Sequence, residues 1–183
     1  KKSSYESETG LNLPGSMPPS VKLLIVADHA SNYIPKRYNN LGLETEDIFT
    51  HKAFDPGVRD LAINLSNKLK SQLVLGEYSR LLIDCNRDLN DPTLISVISD
   101  RKIILGNKKI TRKERIYRIN KIYRPYHEKI NSKILEKKIN IIISLHSFNP
   151  IFKGRKRFLK YGILSNQDRR LSDLIISELK KNK

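Results

Sequence analysis

The stretch LLIVADHASNYIP, residues 23–35, decides how the rest of the chain is read. Leu23 to Ala27 is a continuous run of β-prone apolar residues closed by Asp28, the pattern of a strand buried on both faces. A strand covered on both sides calls for helices above and below it, which predicts an α/β layered sheet. Just past its C-terminal end come Asp28 and His29. Open α/β sheets collect their binding groups at such strand ends, so the same stretch also points to the place of a site.

Two other stretches repeat the pattern. SRLLIDCNRD, residues 79–88, predicts a short strand over Arg80 to Asp84 that is aimed at Asn86 and Arg87, and Ile139 to Leu145 predicts a strand delivering His146 and Ser147. The elements between them alternate. Asp55 followed by Pro56 reads as a helix N-cap with proline first, and Val58, Leu61, Ala62, Leu65 and Leu69 recur at helical spacing behind it. Gln72 to Gly76 predicts another strand. TRKE from Thr111 matches a capping box, and Ile116, Ile119, Tyr123, Tyr126, Ile130 and Ile134 run as a stripe down a long helix that Pro125 should kink. A last strand is expected over Tyr161 to Leu164, then a helix from Asp168 with Leu171, Leu174, Ile175 and Leu179 on one side. Residues 1–20, with Gly10, Pro14, Gly15, Pro18 and Pro19, form a turn-rich lead-in to a single domain over 21–183.

Composition bounds the function. Thirty-five Lys and Arg against 19 Asp and Glu give a formal charge of +16, which attracts anionic substrates or nucleic acid. The lysines are scattered among isoleucine and asparagine, and the basic run Lys153 to Arg157 has no aromatic platforms interleaved, so nucleic-acid binding is the weaker reading. The longest apolar runs are far short of the roughly 20 residues that cross a bilayer. Lys1 to Gly10 is polar and does not read as a secretory signal. One cysteine, Cys85, excludes an internal disulfide framework and fits the cytoplasm. There is no glycine-rich phosphate loop, CxxC pair or HExxH.

Two of the four histidines, His29 and His146, sit at strand ends. Zinc takes imidazole nitrogen readily, and a third ligand near His29 must come from Asp28, Ser31 or Asn32. The competing reading is two hydrogen-bonded structural histidines. Arg80, Asn86 and Arg87 either hold the carboxylate of a small acidic substrate or lock into ion pairs with Asp84 and Asp88. His51 and Asp55, four apart, are either a pair orienting a ligand from behind or a cap beside a surface histidine. Cys85 is either a thiol nucleophile or a small core residue, the second being commoner at a buried strand end. His127 has the weakest claim on chemistry.

Taken together and in order, ADHASNYIP, HKAFDPG, YSRLLIDCNRDL, IYRPYH and SLHSFNP resemble the N-formylglutamate amidohydrolase family, over roughly Lys22 to Arg170. The resemblance implies a three-layer fold like that of the zinc exopeptidases, a mixed twisted sheet with helices on both faces. It implies one zinc ion held by His29, Asn32 and His146, with Asp28 in reserve, and a carboxylate clamp of Asn86 and Arg87 with Arg80 nearby. The implied reaction is hydrolysis of the formyl amide of N-formyl-L-glutamate, or of a similar small anionic N-acyl amino acid, to the amino acid and formate. The family's general-base glutamate is expected in an E-x-R-Q-D-like strand; Glu77 and Glu178 do not match that context, so a C-terminal part beyond Lys183 is expected. A catalytically inactive carboxylate-binding homologue is the alternative of another class. Oligomeric state is left open.

Overall fold

The structure is a computed structural model that describes residues 21–152 and 154–181. The expected lead-in over 1–20 lies outside the described residues. Contacts divide the chain into two compact units, one running to Phe148 and one from Asn149 onward.

The first unit is built on β1 (Leu23–Ala27), whose five residues are all buried as the apolar run requires. It lies between β2 (Gln72–Leu75) and β5 (Ile141–Ser144), parallel to both, with Leu24 opposite Gln72 and Leu23 opposite Ile141. The expected mixed sheet is thus wholly parallel across these three strands. Period-two alternation splits β1 between two cores. Leu23, Ile25 and Ala27 pack with Val58 and Ala62 of α2 (Val58–Leu69), while Leu24 and Val26 pack with Val74, Ile122 and Tyr126 on the side of α5 (Arg124–Lys137). Helices therefore cover both faces, and the three-layer α/β fold holds.

Between these elements lie α1 (Thr45–Ile48), a two-stranded ribbon of β3 (Ile98–Ser99) and β4 (Lys102–Ile103), and α3 (Leu105–Lys108). The segment Arg80–Asp84 is a turn-rich buried stretch, not the strand expected from its apolar pattern. Its backbone is held by side chains in place of a ladder: Asn107 donates to the Leu81 carbonyl at 2.8 Å and Arg118 to the Leu82 carbonyl at 3.0 Å. Burial alone cannot tell the two apart, because an apolar run reads the same either way.

α2 begins two residues later than Asp55-Pro56 suggests. Gly57 occupies the cap at φ 78°, a left-handed conformation that suits glycine, and Val58 N–H bonds the Asp55 carbonyl at 3.2 Å. The Asp55 carboxylate is thereby free of capping duty. The long helix is α4 (Arg112–Arg118), a π-helical turn (Ile119–Tyr123) and α5 in sequence, with Thr111 Oγ1 accepting from Glu114 N–H at its start. Pro125 would crowd the preceding turn of a regular helix, and the wider π turn before it accommodates the ring.

In the second unit, β6 (Ile151–Phe152) pairs antiparallel with β7 (Arg155–Lys156), and α6 spans Arg170–Lys181. Tyr161 to Leu164 forms no strand.

Candidate metal centre

The C-terminal ends of β1 and β5, adjacent in the sheet, bring His29 and His146 together across 117 positions of sequence, with ring centroids 5.1 Å apart. Asp55, entering α2, completes the group: one ligand atom from each of His29, Asp55 and His146 lies within 4.8 Å of the others.

Each imidazole has one nitrogen on a buried aspartate and the other on Asp55. His29 Nε2 is 2.6 Å from Asp84 Oδ1, and an ionised carboxylate can only accept, so Nε2 carries the hydrogen. His29 Nδ1 is then left 3.6 Å from Asp55 Oδ2, buried and without a hydrogen-bond partner. His146 mirrors this: Nε2 faces Asp28 Oδ2 at 3.3 Å and Ser144 Oγ at 3.1 Å, while Nδ1 meets Asp55 Oδ2 at 3.1 Å. Two ligand atoms each about 2.1 Å from a tetrahedral zinc sit about 3.4 Å apart. The two spacings to Asp55 Oδ2, 3.1 and 3.6 Å, bracket that value. A buried ring nitrogen without a hydrogen-bond partner is costly, and a cation between these three atoms would satisfy it in the neutral imidazole.

Electrostatics favour a cation here. Burial alone would push the Asp55 carboxyl up, but its hydrogen bond to His146 and the adjacent His29 imidazole hold it far below the usual carboxylate range. Asp84 is likewise buried, yet its bond to His29 and the nearby Arg80 charge draw it down to about 2. Asp28, raised by burial, is lowered on balance by His146 and Tyr126. Burial lowers His29, but the neighbouring Asp55 and Asp84 carboxylates outweigh it and leave the imidazole raised. His146 is lifted to about 9 by its bonds to Asp28 and Asp55. Three ionised carboxylates thus converge on two imidazoles.

The remaining expected residues distribute as follows. The Asn32 amide donates to the Ile48 carbonyl at 3.3 Å, and the oxygen facing both imidazoles is Asp55's. Asp28 stands behind His146. Arg80 pairs with Asp84 at 3.0 Å and with Asp55 at 3.5 Å, the ion-pair reading of that residue. Asn86 gives its backbone N–H to Asp84 Oδ1, and its side chain is exposed; Arg87 is half-exposed, its Nε 3.9 Å from Asp84. His51 pairs with Asp100 at 3.3 Å on the surface. Cys85 is buried, and desolvation with the neighbouring Asp28 and Asp84 charges pushes its thiol up to about 12, so it is no nucleophile. Glu77 pairs with Lys129 at 3.4 Å. Asp84 is the residue that sequence reasoning underused. Its signal was an apolar run closed by aspartate, the same mark that singled out Asp28.

Comparison with known sequences decides the lineage: the profile described as N-formylglutamate amidohydrolase matches residues 21–183. The chain belongs to that family. The family is one of amide hydrolases, which agrees with the resemblance of the five ordered stretches. A crystal structure of a gene product from Agrobacterium tumefaciens is similar, with 34% identity and a TM-score of 0.84 over 88% of this chain and 66% of that one. The chain spans just under two thirds of that relative's length. No match was found among curated proteins. No helix among the described residues is long and apolar enough to cross a membrane.

Proposed function

We propose that this N-formylglutamate amidohydrolase family member is a zinc-dependent hydrolase of N-formyl-L-glutamate or a closely similar small N-acyl amino acid. One ion is held by His29 Nδ1, His146 Nδ1 and Asp55 Oδ2. The observation that carries the reading is the orphaned, buried Nδ1 of His29 facing that carboxylate. When bound, zinc supplies Lewis acidity toward a carbonyl oxygen and toward water.

The chain's own residues do the rest. Asp84 keeps the hydrogen of His29 on Nε2, and Asp28 does the same for His146, so once each imidazole has lost its second proton both Nδ1 lone pairs face Asp55. Arg80 offsets the charge of Asp55 and Asp84 without leaving the protein's own carboxylates. Asn86 and Arg87, one loop beyond Asp84, offer an exposed amide and a half-exposed guanidinium for the substrate carboxylate. The buried free Cys85 and the absence of a membrane-length helix among the described residues are compatible with activity in the cytoplasm.

Purified protein should contain near-stoichiometric zinc and release formate from N-formylglutamate, and His146→Ala should lose both. Protein that takes up no zinc, or a His146→Ala variant that keeps its metal, refutes the proposal.

A further inference from the structure

The IYRPYH stretch, residues 122–127, is used by none of the steps above, yet three of its side chains reach the site loops. Tyr126 donates its hydroxyl to Asp28 Oδ1 at 2.5 Å, Tyr123 donates to the Arg87 carbonyl at 2.9 Å, and His127 Nε2 meets the Cys85 carbonyl at 3.1 Å. Positions 123, 126 and 127 share one helical face, and the π turn before Pro125 sets where that face points.

We infer that this segment is a positioning element for both halves of the site: Tyr126 acts on the metal cluster through Asp28, and Tyr123 on the Asn86–Arg87 loop through the Arg87 carbonyl. The inference rests on the proposed metal reading and extends it to residues that touch neither metal nor substrate. Asp28 is the link in the first path. With Oδ1 held by Tyr126, Oδ2 is left toward His146 Nε2 and Ser144 Oγ, each at 3.3 Å. Remove the hydroxyl and the carboxylate can turn away. His146 depends on this more than His29 does, because its side chain is 33% exposed against 3% and is less confined by packing. The second path is shorter. Tyr123 and His127 hold the carbonyls on either side of Asn86, which fixes the peptide planes from which Asn86 and Arg87 project.

Two single-oxygen deletions separate the paths. Tyr126→Phe should weaken zinc binding by about 10- to 100-fold in a chelator competition. In metal-free protein labelled with 15N-histidine, it should also abolish the slowly exchanging Nε2–H resonance of His146. Asp28→Asn should reproduce both effects, which covers the case of a Tyr126→Phe variant that fails to fold. Tyr123→Phe should leave zinc affinity and that resonance as in the wild type, and should raise KM for N-formylglutamate severalfold while kcat is retained. Zinc affinity within twofold of wild type in both Tyr126→Phe and Asp28→Asn, with the resonance intact, overturns the first path. An unchanged KM in Tyr123→Phe overturns the second. A wild type that takes up no zinc sinks the metal reading instead, and the resonance then still decides whether Tyr126 and Asp28 orient His146.

Discussion

Replacing Gly76 with alanine should damage the metal centre without touching any of its side chains. Gly76 directly follows β2, its N–H bonded to the Ala27 carbonyl at 2.8 Å, and a β-carbon placed there would lie 1.9 Å from the Asp28 carbonyl oxygen and 2.8 Å from its carbon. A carbon and an oxygen that are not bonded need about 3 Å or more, so the strand ends must separate by about 1 Å. That neighbour is backbone and cannot rotate aside. Relief therefore moves Asp28 and His29 or breaks the Gly76–Ala27 bond. Overpacking of this kind costs about 1–3 kcal/mol, and loss of a buried hydrogen bond adds about 1 kcal/mol. At about 3 kcal/mol in total, the melting temperature of a chain this size should fall by about 6–12 °C. Zinc affinity should fall with it, since a shift of that size is large against ligand spacings of 3.1 and 3.6 Å. The assay is a thermal melt with and without zinc, beside a competition titration. A variant that melts within 1 °C of the wild type and takes up zinc equally refutes the steric argument.

Three more outcomes are expected. Asp84→Asn should lower zinc affinity about 10- to 100-fold, because the carboxylate that fixes the His29 tautomer is gone; unchanged affinity counts against that role. His146 stands at about 9 in the folded metal-free chain against about 6.5 unfolded, so its protonation contributes stability that is complete below about 6.5 and lost as pH rises through 9. The metal-free melting temperature should therefore drop between pH 7 and pH 9.5, while zinc affinity climbs over the same interval as the competing proton leaves. A melting temperature that rises there contradicts the assignment. Cys85, buried and with its thiol at about 12, should resist a thiol reagent at pH 8 in the native protein and react fully once unfolded. Rapid native labelling shows the opposite.

Much of this arrangement could be read from the chain. β1, β2, β5, α2 and α5 are long enough in one period for pattern to fix them, and His29 and His146 follow directly from where two strands stop. Other parts depended on partners far away. Arg80–Asp84 has a strand's composition, and what makes it a turn is capping by Asn107 and Arg118, which no local pattern encodes. Asp55 looked like a cap because aspartate before proline usually is one; Gly57 took that duty at a left-handed φ and released the carboxylate. The role of Asp84 was hidden for a similar reason. Its partner His29 is 55 residues away, so the hydrogen bond leaves no spacing to find.

The register that pairs Leu23 with Ile141 also governs how this centre can come into being. Closing a loop of 118 residues costs about 4 kcal/mol in chain entropy before any contact across it is formed. Such a topology folds slowly, and its two imidazoles meet only after most of the polypeptide is in place. Zinc added at the start of refolding should thus leave the folding rate alone and retard unfolding, acting as a latch on a finished molecule and never as a seed.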